Sequence, residues 1–336
     1  MREPHLFIFG LGYVGLRVGI ACERDLGWRV SGSCRNQEKA DAVSAASDGR
    51  IAAHTFDLDE EYSGLDAGGL AALSDATHVL ATTPPIADFD RDPLLALHTP
   101  ALLEAAQRDL RWAGYLSTTS VYGDHAGAWV DEDAETRAAV GSPGQLRIAA
   151  ENDWLSLEDA TDGSVQPHIF RLAGIYGPGR SALETVARAA ASAAPPSSST
   201  PPPPPSPPPS PPPPLHAAPL SATPAPTPRY VSRVHVDDVS AALLASMVEP
   251  PPSAYRMYNL ADDEPTPRAE VMAFAAELLG VPGRAASDAD AAGAGRGRAR
   301  RRAAEHKRVT NDRMRSTLLP DGLRYPSFRE GLRDGC

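Results

Sequence analysis

The sequence predicts an α/β fold built on a doubly wound parallel sheet. Three observations predict it. Short apolar runs alternate with helix-period stretches up to about residue 180. The first run, His5–Phe9, reads as a strand buried on both faces and leads straight into a glycine-rich turn, Gly10-Leu11-Gly12-Tyr13-Val14-Gly15. Each later strand is separated from the next by a crossover of helical character, as parallel strands require.

Taken in order, Val14–Leu26 reads as the helix after the glycine turn, Trp28–Ser33 as a second strand and Asn36–Ala46 as a second helix. Ile51–Phe56 and Thr77–Ala81 follow as strands, with a short, poorly defined Gly/Ala-rich crossover between them. Asp92–Asp109 reads as a helix, because Leu94, Leu95, Leu97, Leu102 and Leu103 recur on one stripe. Trp112–Leu116, Ser142–Leu157 and Val165–Leu172 continue as strand, helix and strand. The expected organisation is a nucleotide-binding domain over 1–180, an insertion over 195–228, and a part over 229–336 that completes the sheet and forms a small substrate-side subdomain.

The insertion is set apart by composition, since 18 of its 34 residues are proline. Such a run can neither pair in a sheet nor continue a helix, and reads as a polyproline-II or disordered excursion. It is either a tolerated loop insertion, which costs little free energy, or a docking segment for an SH3- or WW-like partner. A second biased stretch, Ala285–Glu305 with "GRGRARRR", reads as an Arg-rich loop.

A formal net charge of −11 over 336 residues argues against nucleic acid or an anionic membrane surface as a partner. Three cysteines (Cys22, Cys34, Cys336) lack metal-ligand spacing and read as reduced thiols, so no metal site is expected. No apolar run reaches the ~18 residues of a membrane span. The first strand begins within about five residues of Met1, leaving no room for a targeting peptide in the chain as written. The expectation is a cytoplasmic protein, or an organellar one, such as plastid, if the N terminus is incomplete. A homodimer is among the assemblies such a chain can form.

The glycine turn carries the strongest chemical signal. Gly10 permits the tight turn, Gly12 lets the backbone approach a pyrophosphate, and Gly15 allows close helix–sheet packing. The pyrophosphate of a dinucleotide would then rest on the unpaired N–H groups at the helix start. The end of the second strand distinguishes NAD from NADP. NAD sites place a carboxylate there for the ribose 2′-OH, whereas "VSGSCRN" (Val30–Asn36) offers Arg35, whose planar fork suits a 2′-phosphate. The cofactor reading is therefore NADP, with NAD as the alternative.

Five segments in order complete the picture: the glycine turn, "YLSTTSVYGD" (Tyr115–Asp124), "IFRLAGIYGPG" (Ile169–Gly179), "RVHVDDVSAALLASM" (Arg233–Met247) and "YNLADDEPTPRAEVMAFAAELLG" (Tyr258–Gly280). Together they resemble the extended short-chain dehydrogenase/reductases, the NAD-dependent epimerase/dehydratase superfamily, and in particular its atypical bacterial YeeZ-like branch. The resemblance implies a Rossmann-type fold and places Asp57 and Leu58 at an adenine pocket. It puts Thr82, Thr83 and Pro84 against the cofactor's ribose and pyrophosphate, and Thr118 at the superfamily's catalytic Ser/Thr position. Ile175 and Tyr176 would lie near the nicotinamide, and "HVDDV" would close the substrate side. For Asp237 a helix N-cap is an equal reading.

The active enzymes of that superfamily also use a Tyr-x-x-x-Lys pair, in which a lysine one helical turn away lowers the tyrosine pKa for proton exchange during hydride transfer. This chain has only two lysines, Lys39 and Lys307, preceded four residues earlier by Arg35 and Ala303. No such pair exists. "GSPGQLRIAAEN" (Gly141–Asn152) instead puts Pro143 or Gly144 at the tyrosine position and Arg147 at the lysine position. Tyr122 and Tyr176 are the candidate substitute acids. Two readings stay open: an oxidoreductase or epimerase acting on a small polar or sugar-nucleotide substrate, or a non-catalytic NAD(P)-dependent sensor, scaffold or assembly protein.

Overall fold

The computed structural model describes residues 3–57, 64–87, 89, 91–193, 229–248, 255–283 and 306–334. The proline-rich 195–228, the Arg-rich 285–305 and Leu58 lie outside the described residues.

The strand and helix alternation takes shape as β1 (His5–Phe9), α1 (Tyr13–Ala21), β2 (Arg29–Cys34), α2 (Gln37–Ala46), β3 (Ile51–Thr55), α3 (Ala67–Ser74), β4 (His78–Ala81), α4 (Pro93–Arg108), β5 (Trp112–Thr118), β6 (Trp129–Val130), α5 (Pro143–Leu155), α6 (Leu157–Ala160) and β7 (Gln166–Leu172). After them come β8 (Gly174–Tyr176), α7 (Ala182–Ala193), β9 (Tyr230–Val231), β10 (Arg233–His235), α8 (Val236–Val248), β11 (Met257–Leu260), β12 (Thr266–Pro267), α9 (Arg268–Leu278) and β13 (Arg308–Val309). Short helices at Asp312–Thr317 and Phe328–Arg333 end the described chain.

Seven strands form one parallel sheet in the order β3-β2-β1-β4-β5-β7-β11, the doubly wound Rossmann-type arrangement. Edge strand β11 comes from beyond the insertion and pairs with β7 from Met257↔Ile169 to Leu260↔Leu172. The remaining strands pair in twos: β10 with β8, β12 with β9, and β13 with β6.

The apolar runs explain the layering. In β1, Leu6 and Ile8 join one core with Val14, Val18, Val30 and Leu243, while Phe7 and Phe9 join the opposite core with Leu94, Leu95, Leu102 and Trp154. Each such side chain contributes about 1.5–3 kcal/mol on burial. A third, smaller core gathers Tyr176, Val186, Met272 and Phe328 between α7, α9 and the last helix.

Two local outcomes differ from the sequence pattern. The Gly/Ala-rich crossover is a helix, α3, started by Asp66, whose carboxylate accepts from Gly69 N (2.7 Å) and from Thr55 N (2.8 Å). The helix after the glycine turn closes in a π-type turn over Cys22–Leu26, ended by Gly27 in the left-handed region (φ +65°).

Candidate functional site

Loops leaving the C-terminal ends of β1, β4 and β5 converge on one edge of the sheet, where an open α/β sheet places its ligands. Gly10 adopts φ +94°, which a side chain would resist. Its N–H donates to Ser33 Oγ (3.0 Å), and Leu11 N donates to Ser33 O (2.8 Å), so β2 fixes the turn. Leu11 and Val14 are buried, and Leu11 packs over Gly32. A Cβ on Gly15 would drive into the Gly10 carbonyl oxygen and stand 3.1 Å from Ile8 Cγ2, so this glycine is required by packing. A Cβ on Gly12 would meet nothing within 4 Å. Gly12 therefore leaves open space directly over the start of α1, where backbone N–H groups point outward.

The β4 loop closes this cradle from the side. Thr82 Oγ1 donates to Gly10 O (2.7 Å) or to Phe9 O (3.0 Å). A Cβ on Gly10 would lie 3.0 Å from Thr83 Cγ2, and Thr83 Oγ1 is buried with no hydrogen-bond partner. An orphaned hydroxyl costs free energy unless something pairs with it. Open space over Gly12 and an unpaired hydroxyl on Thr83, which packs beside Gly10, fit a polar ligand such as a dinucleotide. Arg35 is exposed just beyond β2, next to Asn36, which caps α2 by accepting from Lys39 N (3.0 Å). Asp57, just past β3, is partly buried. On the other flank the Arg180 guanidinium stands 5.5 Å over the Tyr13 ring.

A cleft beside this cradle is lined by Pro84, Pro85, Thr118, Pro143, Leu146 and Arg147. Thr118 Oγ1 caps the following 3-10 turn, accepting from Ser120 N (3.2 Å) and lying 3.0 Å from Ser120 Oγ. Arg147 Nη1 donates to the Leu116 carbonyl and to Tyr115 Oη (3.1 Å), which pins one side of the guanidinium to β5. Behind the cleft Asp92 caps α4, accepting from Leu94 N (3.0 Å), and burial pushes its carboxyl up to about 6.

The structure draws Thr118, Arg147 and Pro84 together and keeps Tyr122 and Tyr176 apart from them. Tyr122 is fully buried. Its hydroxyl donates to Asn259 Oδ1 (2.7 Å) and accepts from Arg171 Nη1 (3.0 Å). Burial pushes Tyr122 up to about 12, against the pull of Arg171, which leaves it a poor acid near neutrality. Tyr176 is buried too, donating to Ser327 O (3.2 Å) against the last helix. At "HVDDV" the cap of α8 is His235, whose Nδ1 accepts from Asp237 N (3.2 Å). Asp237 instead binds Arg17 of α1 (2.6 Å), and Asp238 accepts from Arg324 N (2.7 Å) and Tyr325 N (3.1 Å). Sequence reasoning missed Pro85, Leu146 and Ser33, which carry no motif. Their signal is only adjacency to residues that do.

No protein-family model matches the chain, and no curated protein matches it. Solved structures do. A conserved protein of unknown function from Silicibacter pomeroyi DSS is 32% identical over 98% of this chain and 97% of its own, with a TM-score of 0.67. A protein from Methylobacillus flagellatus, assigned as an NAD-dependent epimerase/dehydratase, is 19% identical over 99% and 97%, with a TM-score of 0.62. The chain shares the fold of solved NAD-dependent epimerases and dehydratases. The fold also matches UDP-glucuronic acid 4-epimerase from Bacillus cereus, solved with UDP-glucuronic acid and NAD, at 15% identity over 98% and 96% and a TM-score of 0.62. Among the described residues no helix is long and apolar enough to cross a membrane, and no group of three candidate metal ligands occurs.

Proposed function

We propose that this protein binds NAD(P) along the C-terminal edge of its sheet, with NADP preferred, and that its cleft lacks the proton-transfer apparatus of a conventional epimerase or dehydratase. The observation that carries the binding half is the cradle, in which Gly12 opens onto free space and Thr83, packed beside Gly10, keeps an unpaired hydroxyl. Gly10–Gly15 would hold the pyrophosphate, Thr82, Thr83 and Pro84 its flank, Asp57 and Leu58 the adenine side, and Arg35 the 2′-phosphate. When bound, the nicotinamide supplies a hydride donor or acceptor. The Bacillus cereus epimerase, solved with NAD and a sugar nucleotide, supports sugar nucleotides as the first substrates to assay.

What disfavours ordinary turnover is the cleft wall. Pro143 or Gly144 takes the place of the superfamily's tyrosine, Arg147 is tied to Leu116 and Tyr115, and Thr118 caps a turn. Thr118 and Arg147 can orient a carbonyl oxygen, but neither readily releases a proton near neutrality. Tyr122 and Tyr176 serve the scaffold. That arrangement supports a binding role, as sensor, scaffold or assembly protein, over catalysis.

Calorimetric titration with NADPH and NADH tests the first half, with dissociation constants expected in the micromolar range, about −8 kcal/mol. Absence of binding refutes it. Following conversion of UDP-glucuronic acid or UDP-glucose by chromatography of the sugar nucleotide tests the second half, and turnover at the usual enzyme rates of about 1–10³ s⁻¹ refutes that.

A further inference from the structure

A buried ion pair lies directly beneath the cleft, and none of its members touches the space above. Glu151 of α5 and Arg171 of β7 are 4% and 5% exposed at their side chains. They meet through two prongs, Arg171 Nε to Glu151 Oε1 (3.1 Å) and Nη2 to Oε2 (2.8 Å). Glu151 Oε1 also accepts from Ser117 Oγ (2.5 Å), the residue before Thr118 on β5. Glu151 stands four residues after Arg147, one turn along the same face of α5. From Arg171 the network continues to Tyr122 Oη and to the Glu132 carbonyl (3.2 Å), and from Tyr122 to Asn259 on β11. Burial opposes the charge on Arg171, but the Glu151 carboxylate outweighs it and holds the guanidinium protonated.

We propose that Glu151, through its pair with Arg171, is a positioning residue that sets where Arg147 and Thr118 stand and thereby holds the nicotinamide end of the dinucleotide. The proposal rests on the NAD(P) reading above. Two buried charges lose so much hydration that an apolar pair of similar volume is commonly as stable. Geometry is what the pair contributes instead. One carboxylate ties α5, β5 and β7 together at the positions adjoining the cleft's two polar residues. A cleft held to a fraction of an ångström needs such support. The glycine cradle at β1 and α1 shares none of these bonds, so the network acts on one end of the ligand and leaves the other alone.

The test compares two probes of one site, the whole dinucleotide and ADP-ribose (or its 2′-phosphorylated form), which lacks the nicotinamide. The double variant Glu151→Leu with Arg171→Met removes both charges together. We expect it to unfold cooperatively near the wild-type temperature, to bind ADP-ribose as wild type does, and to bind the dinucleotide about tenfold more weakly, the scale of coupling through such networks. Equal change for both probes, or none for either, overturns the proposal. So does a wild-type protein that holds the two probes equally, since no nicotinamide end is then being gripped. A wild-type protein that binds neither probe refutes the NAD(P) reading itself. Should the double variant fail to fold, Ser117→Ala removes only the bond from Oγ to Glu151, and the same selective loss for the dinucleotide, about threefold, decides the matter.

Discussion

Replacing Gly12 and Gly15 one at a time separates what the ligand needs from what the fold needs. Gly12 sits at φ −86° and ψ −157°, extended backbone that alanine adopts, and its Cβ would face open space. Gly12→Ala narrows the unfolded ensemble, a stabilising effect of about 0.4–1 kcal/mol. It also makes a poorer helix N-cap, at a cost of roughly 0.5–1 kcal/mol. The two nearly cancel, so the melting temperature should barely move. Binding should not survive as well. A methyl group where a pyrophosphate approaches the α1 amides forfeits charge-assisted hydrogen bonds of about 1.5–3 kcal/mol each. Two of them amount to at least about 3 kcal/mol, more than a hundredfold in affinity. Gly15→Ala should do the reverse first, because its Cβ collides with the Gly10 carbonyl, a backbone atom that cannot swing aside. We expect a stability loss of about 1–3 kcal/mol or more. Thermal unfolding read beside NADPH calorimetry distinguishes the two. A folded Gly12→Ala protein with wild-type affinity would refute the placement of the pyrophosphate.

Arg35→Asp should weaken NADP binding by about 1.5–3 kcal/mol and leave NAD nearly unchanged; a uniform loss in calorimetry removes Arg35 from the site. Pro143→Tyr with Arg147→Lys should fold, because both positions line the cleft. Gly144→Tyr with Ile148→Lys should melt several degrees lower, since a Cβ on Gly144 would stand 2.8 Å from both Ala138 Cβ and Ser120 O. Equal melting temperatures refute that register. Asp92 titrates at about 6 in the fold against an ordinary 3.8, so the folded state binds more proton and stability falls as pH rises between those values. Asp92→Asn keeps a capping oxygen and should be more stable than wild type at pH 7.5, by up to about 3 kcal/mol. The advantage should vanish near pH 4, and denaturant melts at the two pH values check it.

The sheet was legible because its central strands are apolar on both faces and its glycine turn joins the first of them to a helix. The helix α3 was not, because "AGGLAALS" has little periodicity and its start depends on Asp66 bonding β3 as well as its own first turn. The tyrosines show where residue type ends as a guide. Tyr122 follows Thr118 by four positions, but Arg171 and Asn259, far along the chain, decide that its hydroxyl faces the core. Likewise the capping of α8 by His235 rather than by an aspartate depends on a ring nitrogen left neutral. Burial presses His235 down to about 4, so Nδ1 stays an acceptor.

The lateral position of β11 has a consequence for how the chain is made. Leu172 ends β7 and Met257 opens β11, 85 positions later, yet the two strands are direct neighbours in the sheet. At translation speeds of about 5–20 residues per second, the hydrogen-bonding flank of β7 waits roughly 4–17 s for its mate to leave the ribosome. That flank carries Ile169 and Phe170, and a bare apolar strand margin invites pairing with another nascent chain. The 34 residues of 195–228 account for about two-fifths of the interval. A chain shortened there should close its sheet sooner and aggregate less during synthesis, whatever the segment does in the finished protein.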